Sequence, residues 1–253
     1  MQVKNIHLPD ALEHIAKTSL NSPRLLSITF DDGLKQSTDI AISILNRYGL
    51  QATFYVVTGW VEPVRTDIKE PFNIGRSHGS WDYWRQVVAM GHEVGSHSYS
   101  HVNALGKKAW LFPWLVPSEI AKSYRDLNRE IPQASYTMAM PWNAATWFSD
   151  FFVRRSFSAC RLGTSDIEYN NLASLNRYRL KSWAPSQRND WPDYVKAIDG
   201  VRAGGWLILQ FHGFDDEGWD PIASELFEKL CEYISKCDLQ VASVQKIIER
   251  CTS

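Results

Sequence analysis

Two short segments of the chain carry side chains of the types that bind catalytic metal ions. The adjacent carboxylates Asp31 and Asp32 directly follow the apolar run Leu25–Phe30, and two such neighbours repel each other unless a positive charge lies close by. Farther along, His97 and His101 are four residues apart, a spacing that places both imidazoles on one face of a helical turn. Two neutral histidines and one carboxylate leave coordination positions open for water and substrate. The sequence therefore predicts a metal-dependent active site.

The two aspartates are expected to have different roles at this site. Either Asp31 or Asp32 can supply the metal-binding carboxylate, and the other then stays free to accept a proton as a general base. A divalent cation beside the pair would also remove their repulsion. Zn²⁺ is the expected ion, although the same ligand set suits Co²⁺, Ni²⁺, Fe²⁺ or Mn²⁺.

These residues occupy equivalent positions in the predicted secondary structure. The aspartate pair follows one predicted strand, His97 follows the strand His92–Ser96, and His212 follows the strand Trp206–Phe211. In parallel α/β folds the carboxyl ends of the strands converge on one face, where active sites are built. We therefore expect the three clusters to meet in one pocket.

Short β-rich runs alternate with amphipathic helical stretches along the chain. This alternation favours a parallel sheet with crossover helices, and the count of about seven units favours a distorted (β/α)7-type barrel over an open sheet. No linker or repeat divides residues 1–253, so a single domain is predicted, with its motif-bearing core at about 25–245. The predicted strands are Leu25–Phe30, Ala52–Val57, His92–Ser96, Tyr136–Met140, Ala159–Leu162 and Trp206–Phe211. The predicted helices are Ser37–Tyr48, Trp81–Met90, Ser118–Ile131, Trp191–Ala203, Pro221–Lys236 and Val244–Arg250.

Composition narrows the classes of partner. A net charge of −1 gives no basic footprint, which argues against nucleic acid and against an anionic membrane as partners, and no apolar run is long enough to cross a bilayer. The first twenty residues lack the apolar core of a signal peptide, and the four cysteines show no disulfide pattern. A cytoplasmic protein is expected; the oligomeric state is left open.

The two motifs resemble those of a known enzyme family. The segments TFDDG at 29–33 and HSYSH at 97–101 are similar to the first two motifs of the polysaccharide deacetylases, also called NodB-homology or carbohydrate esterase family 4 proteins. The resemblance spans about residues 25 to 245. It implies a distorted (β/α) barrel and a metal-dependent hydrolase that removes acetyl groups from sugars. By motif position, Asp31 resembles the family's general base, and Asp32, His97 and His101 resemble its metal ligands.

Later segments resemble the remaining motifs. In LQFH at 209–212, Leu209 matches a leucine of the acetyl pocket and His212 a general acid. Asp190 resembles the aspartate that orients this histidine, and Trp191 resembles an aromatic wall of the pocket. Trp142 stands where the family has a tyrosine, and the resemblance assigns its backbone N–H to the oxyanion. These matches imply a carbohydrate substrate.

One motif departs from the family pattern. Ala139, in AMPWN at 139–143, stands where the family has an arginine that pairs with the catalytic aspartate. Arg188 could replace that cation, or it could be an exposed loop residue. Three interpretations stay open: a deacetylase of an N- or O-acetylated sugar or polysaccharide precursor, a deformylase or other C–N amide hydrolase, and a metal-containing sugar-binding protein with weakened catalysis.

Overall fold

Seven parallel strands close into a barrel in the computed structural model of the chain, which describes residues 22–62, 76–131 and 133–252. The strands pair in the order β1-β2-β3-β4-β5-β7-β8, and β8 pairs with β1 to close the ring. The predicted (β/α)7-type barrel is confirmed. Whether a single domain extends over all of 1–253 stays a prediction, because residues 1–21 lie outside the described part. The barrel strands are β1 Leu25–Phe30, β2 Ala52–Val56, β3 Glu93–Ser96, β4 Thr137–Ala139, β5 Ala159–Thr164, β7 Leu180–Trp183 and β8 Gly205–Phe211.

Helices and two short strands surround the barrel. The short strand β6 Asn170–Asn171 pairs antiparallel with β8, and β9 Gln240–Val241 pairs parallel with β1. None of the helices in the described ranges is long and apolar enough to cross a membrane. The helices are α1 Lys35–Arg47, α2 Trp81–Ala89, α3 Lys107–Leu111, α4 Leu115–Glu130, α5 Trp147–Ser156, α6 Trp191–Asp199, α7 Ser224–Lys236 and α8 Val244–Thr252.

The sequence predicted six of the seven barrel strands and six of the eight described helices, and it missed β7 and helices α3 and α5. Strand β7 contains only four residues, and Lys181 in its middle is exposed, so it presents no continuous apolar run. Helix α5 carries aromatic residues on its exposed side as well as its buried one, which obscures the helical periodicity.

Residues of each strand alternate between the helix layer and the barrel interior. On β1, Leu26, Ile28 and Phe30 belong to the apolar core beneath the helices. The intervening positions carry polar side chains, and the alternation continues past the strand to Asp31. The barrel interior is thus partly polar, and its groups must find partners across the barrel.

A buried carboxylate binds several elements together at the amino-terminal end of the barrel. Glu93 on β3 accepts hydrogen bonds from the hydroxyls of Thr53 on β2 and Thr137 on β4. It also accepts the backbone N–H of Gln245 in helix α8, at 2.9 Å. Burial raises the pKa of Glu93, and these hydrogen bonds offset the rise only in part. The cluster ties three neighbouring strands to the last helix.

Replacing Glu93 by alanine should therefore destabilise the whole fold. Three buried donors would lose their acceptor, at a cost of about 2–4 kcal/mol in the free energy of unfolding. Urea denaturation at pH 7 measures this change. The matched control is Glu232→Ala, whose carboxylate is exposed on helix α7, and it should unfold at nearly the wild-type urea concentration. Equal midpoints for the two variants would show that the cluster is dispensable.

Candidate active site

The carboxyl ends of the strands carry an unusual density of strained backbone. Seven non-glycine residues in the described ranges have positive φ, and all of them lie in the loops after β1, β3, β4 and β8, which together form one pocket: Asp32, Ser98, His101, Trp142, Asn143, Asp215 and Asp220. Such conformations cost about 1 kcal/mol or more each and persist only where the surroundings enforce them. The backbone is held in place here to aim particular side chains.

At the end of β1 the chain turns sharply after Asp31. Asp32 has φ 70° and Gly33 has φ 71°, so the two carboxylates leave the strand in different directions. A side chain at Gly33 would also approach the backbone of Val56 to 3.2 Å, so glycine is needed there for space as well as for conformation. His78 approaches the Asp32 carbonyl oxygen at 3.2 Å from a neighbouring loop.

The histidine pair lies on a loop and not on a helix, so the helical-turn interpretation of its spacing was wrong. The loop follows β3, and the left-handed residues Ser98 and His101 curl the chain so that both imidazoles face Asp32. Side chains hold this shape. The Ser98 hydroxyl accepts the His101 N–H at 3.0 Å, and Glu119 of helix α4 accepts the Ser100 N–H at 2.6 Å.

Asp32, His97 and His101 converge on one point. The Oδ1 atom of Asp32 is 3.5 Å from Nε2 of His97 and 3.4 Å from Nε2 of His101. One ligand atom from each of the three residues lies within 4.8 Å of the other two. The structure therefore brings together the three residues that the sequence predicted as metal ligands.

The environment of these groups fits a bound cation. Nδ1 of His97 is 2.9 Å from the carbonyl oxygen of Ala139, which can only accept, so Nδ1 donates and Nε2 is the nitrogen that faces Asp32. Burial lowers the pKa of His101 to about 4, so its imidazole is neutral at pH 7. Asp32 Oδ1 is buried and has no hydrogen-bond donor among the described residues. A buried carboxylate oxygen without a donor, beside the Nε2 atoms of two imidazoles, suits a divalent ion.

Asp31 has a different environment, dominated by a buried arginine. Nη2 of Arg161, on strand β5, lies 2.5 Å from Oδ2 of Asp31, and both side chains are fully buried. Strands β1 and β5 are not neighbours, so this ion pair crosses the barrel interior. Arg161 also donates to the Ser182 hydroxyl at 3.0 Å, and its guanidinium lies over the Tyr55 ring.

The position of Arg161 explains the missing motif arginine. Ala139 on β4 and Arg161 on β5 are direct partners in the strand register. The guanidinium absent from position 139 is thus supplied by the residue beside it on the neighbouring strand. The suggestion that Arg188 replaces it was wrong, because Arg188 is exposed on the loop before α6.

The arginine keeps Asp31 ionised. Burial alone would raise the pKa of Asp31, but the charges of Arg161, His97 and His212 outweigh it and hold the pKa below its ordinary value. The Gln210 amide donates to the same carboxylate oxygen, Oδ2, at 3.1 Å. The other oxygen, Oδ1, is buried and without a hydrogen-bond partner among the described residues, and it is the one available to a proton.

These groups line a pocket of about 250 Å³. His212 follows β8, and its Nε2 is 3.9 Å from Asp31 Oδ2. Trp142 and Trp219 are 50% and 61% exposed and lie on the pocket wall. The lining residues are Asp31, Asp32, His97, His101, Trp142, Asn143, Ala184, Gln210, His212 and Trp219.

Comparison with known families agrees with this site. The profile of the family described as "Polysaccharide deacetylase" matches residues 19–146, just over half of the 253-residue chain. The chain belongs to the polysaccharide deacetylase family. The match includes the aspartate pair, both metal-site histidines and Trp142.

The individual relatives of this chain are distant. A gellan lyase from Bacillus sp. is 30% identical over 118 residues, which are 47% of this chain and 4% of the relative. A peptidoglycan-N-acetylglucosamine deacetylase from Bacillus cereus is 28% identical over 85 residues, 33% of this chain and 32% of the relative. The chain thus matches about a third or less of each of these relatives.

The crystal structure of a putative polysaccharide deacetylase from Mycobacterium smegmatis superposes with a TM-score of 0.62 at 14% identity, covering 91% of both chains, which shows a shared fold.

Two residues predicted from the family resemblance to act at the site lie outside the pocket. Asp190 is exposed at the start of α6, outside the pocket, where its backbone N–H donates to the Asp193 carboxylate. Trp191 packs on Tyr233 with 5.4 Å between ring centroids, in the layer between α6 and α7. Asp190 lies at the beginning of α6, and Trp191 packs this helix against α7. Neither residue contacts His212.

Leu209 also differs from its predicted place. It is fully buried in the apolar core, whereas Gln210 lines the pocket. Residues two apart on a strand share a face, so Gln210 has the orientation of His212 and Leu209 has the opposite one. The predicted acetyl-pocket leucine was therefore wrong, and a polar amide occupies that wall.

Sequence reasoning missed Arg161, Gln210 and Ser182, which form one network around Asp31. The Ser182 hydroxyl donates to Gln210 Oε1 at 2.9 Å and accepts from Arg161. A signal was present for Gln210, since strand alternation from His212 points to it. Arg161 and Ser182 lie in short strands without a motif, and only the closure of the barrel reveals their role.

The converging ligand atoms predict a stoichiometric divalent ion in the purified protein. Asp32→Ala and His101→Ala should each lower metal occupancy at least tenfold, because the loss of one of three protein ligands leaves the ion poorly held. Elemental analysis after dialysis measures this. Asp216→Asn, on an exposed neighbouring loop, is the control and should keep full occupancy. Full occupancy in both ligand variants would refute the assignment.

The register of β4 and β5 predicts that an arginine at position 139 can replace Arg161 as the partner of Asp31. Arg161→Ala should lower the free energy of unfolding by about 3–5 kcal/mol, because it leaves Asp31 buried without its partner. The double variant Ala139→Arg/Arg161→Ala should recover part of that loss, since the two positions are adjacent across the strands. Chemical denaturation of both variants measures the effect.

The control for this exchange is Arg188→Ala, which removes an exposed arginine and should leave stability unchanged. A double variant no more stable than Arg161→Ala alone would show that position 139 cannot supply the cation. The register argument would then fail even if Arg161 itself proved essential.

Proposed function

We propose that this member of the polysaccharide deacetylase family is a metal-dependent hydrolase that removes an acetyl group from an N- or O-acetylated sugar or polysaccharide precursor. The observation that carries the proposal is the division between two adjacent carboxylates. Asp32 lies beside the Nε2 atoms of two histidines, whereas Asp31 is paired with a buried arginine. Metal-assisted hydrolysis requires a ligand set and a separate base side by side.

Asp31 is proposed as the general base. It is ionised at neutral pH because the ion pair with Arg161 holds its pKa down. Arg161 and Gln210 both engage Oδ2, which fixes the carboxylate plane and leaves Oδ1 to accept the proton of the attacking water. A fixed orientation of the base avoids reorganisation during the reaction.

Asp32, His97 and His101 are proposed to hold the divalent ion, with Zn²⁺ first and Co²⁺, Ni²⁺, Fe²⁺ or Mn²⁺ as alternatives. When bound, such an ion supplies acidification of water and polarisation of the acyl carbonyl. His97 is oriented for this task by its hydrogen bond to Ala139. The backbone N–H of Trp142 is proposed to stabilise the oxyanion.

His212 is proposed as the general acid. It lines the pocket, partly exposed, and its Nε2 is 3.9 Å from Oδ2 of Asp31. In this position its imidazole can donate a proton to the leaving amine or alkoxide.

The pocket fits a sugar at its rim. Trp142 and Trp219 expose aromatic surface beside an opening with carboxylate, imidazole and amide groups. Aromatic faces bind the apolar face of a pyranose ring, and the polar groups suit hydroxyls and an acetamide. The relative from Bacillus cereus is named for the deacetylation of N-acetylglucosamine, which makes an N-acetylated oligosaccharide the first probe.

The proposal predicts acetate release from N-acetylglucosamine oligomers by the metal-loaded protein. Asp31→Asn and His212→Gln should each lower kcat by about 10²–10⁴, as expected for the loss of a general base or acid. Enzymatic quantification of acetate measures this. Asp216→Asn should retain wild-type turnover, because its carboxylate is on the exposed loop beyond His212.

Parallel measurements separate the two alternatives. Release of formate from N-formylated sugars without acetate from acetylated ones would favour the deformylase. Saturable sugar binding by calorimetry without any acyl release would favour the binding protein. The binding-protein alternative was motivated by the missing arginine at position 139. Arg161 on β5 supplies that cation, which disfavours this alternative.

A further inference from the structure

A large aromatic surface lies outside the pocket. The described residues include seven exposed large apolar side chains between positions 105 and 151 that belong to helices α3 and α5 and the chain segments next to them. They are here called the aromatic patch: Leu105, Trp110, Leu111, Phe112, Trp114, Trp147 and Phe151. Trp110 is 79% exposed and Trp147 is 80% exposed. Exposed apolar surfaces of this extent mark interaction sites.

The patch is one continuous surface and not a set of isolated side chains. Trp114, at the start of α4, contacts Phe148 and Phe152 of α5 with ring centroids 5.7 and 6.1 Å apart. Residues 110–114, WLFPW, are all exposed in succession. A run of consecutive exposed apolar residues has no role in packing this barrel, so it requires a functional explanation.

The charges around the patch are positive. Lys107 and Lys108 on α3 and Arg154 and Arg155 on α5 are all exposed. Residues 105–116 contain no acidic side chain, and the single acid of α5, Asp150, is paired with an arginine outside the patch at 2.6 Å. The overall charge of −1 averages over the whole surface and conceals this local excess.

The patch lies at the same end of the barrel as the pocket. Helix α3 begins six residues after His101, and α5 begins five residues after Trp142. The Trp142 indole donates to the His101 carbonyl at 3.3 Å, so the two segments that lead to the patch are joined at the pocket wall. A surface bound to the patch would therefore lie beside the pocket mouth.

We propose that the aromatic patch binds the surface of an anionic lipid bilayer. Tryptophan and phenylalanine insert at the boundary between headgroups and acyl chains, and the four cations can contact anionic headgroups. This requires no spanning helix, and it does not depend on the proposed deacetylase activity. It would place the pocket opening at the bilayer surface, where sugars linked to lipids are presented.

The composition of the patch favours lipid over the other occupants. A glycan platform needs hydrogen-bonding side chains beside its aromatic rings, but Leu105, Leu111 and Phe112 offer none. A second copy of the chain would bring the same four cations against themselves or would have to pair them with acidic residues that the patch does not contain. An anionic bilayer satisfies both the apolar and the charged groups.

Flotation with vesicles tests the proposal. The full-length protein should float with vesicles of phosphatidylcholine and phosphatidylglycerol at low salt, and much less with phosphatidylcholine alone. Trp110→Ser/Phe112→Ser should reduce the bound fraction at least tenfold, because two of the three exposed aromatic side chains of the run 110–114 are lost. Lys107→Glu/Lys108→Glu should weaken binding about fivefold or more per lysine and reduce its salt dependence, since Arg154 and Arg155 remain.

Met90→Ser is the matched control, since Met90 is 47% exposed at the end of α2, which faces the amino-terminal ends of the strands. It should bind vesicles as wild type does. Circular dichroism and thermal melting verify that each variant is folded. Absence of wild-type binding, or equal binding by Trp110→Ser/Phe112→Ser, would overturn the proposal. The proposal would also be overturned if the wild-type protein were a dimer in solution and the Trp110→Ser/Phe112→Ser variant were a monomer.

Activity on soluble oligosaccharides separates this inference from the proposed function. The Trp110→Ser/Phe112→Ser variant should retain wild-type turnover of them, because neither residue lines the pocket. A protein that binds vesicles but releases no acetate would support lipid binding by the aromatic patch and refute the proposed deacetylase activity. A protein that releases acetate but does not bind vesicles would refute only lipid binding by the patch.

Discussion

The ion pair between Asp31 and Arg161 is the interaction on which the site depends. A carboxylate at the end of β1 continues the strand alternation and points into the barrel, where it has almost no contact with water. Isolated there, it would take up a proton and could not serve in the proposed role of a base. The guanidinium that prevents this reaches across from β5, which is possible because the barrel is closed and narrow enough for opposite strands to touch.

The same closure organises a polar column through the barrel. Glu93 binds Thr137 near the amino-terminal ends of the strands, the Tyr55 hydroxyl is 3.1 Å from Thr137, and the Arg161 guanidinium lies over the Tyr55 ring. Each polar group thus has a partner on another strand. Partly satisfied polar networks are costly, and this continuity lets a barrel tolerate two buried charged groups in its upper half.

The sequence predicted the residues that act at strand ends better than those that act within strands. The aspartate pair and the histidines were recognisable because turns and spacing mark them, and the (β/α) alternation placed them on one face. Arg161 was not recognisable, because its function depends on a register between β4 and β5 that no local pattern encodes. Leu209 was misassigned although alternation from His212 points to Gln210, so here the motif resemblance prevailed over strand geometry. Asp190 and Trp191 matched a motif, but they lie at the start of helix α6, outside the pocket.

The two adjacent carboxylates, Asp31 and Asp32, have different partners in the fold. Asp31 is neutralised by a side chain of the protein, so its charge is compensated as soon as the barrel closes. Asp32 has no such partner among the described residues, and its left-handed backbone turns it toward the imidazoles of His97 and His101. The fold therefore compensates one carboxylate by itself and leaves the other beside two histidines, as the proposed metal site requires. The two carboxylates are neighbours in the chain, but a guanidinium lies beside one and two imidazoles lie beside the other.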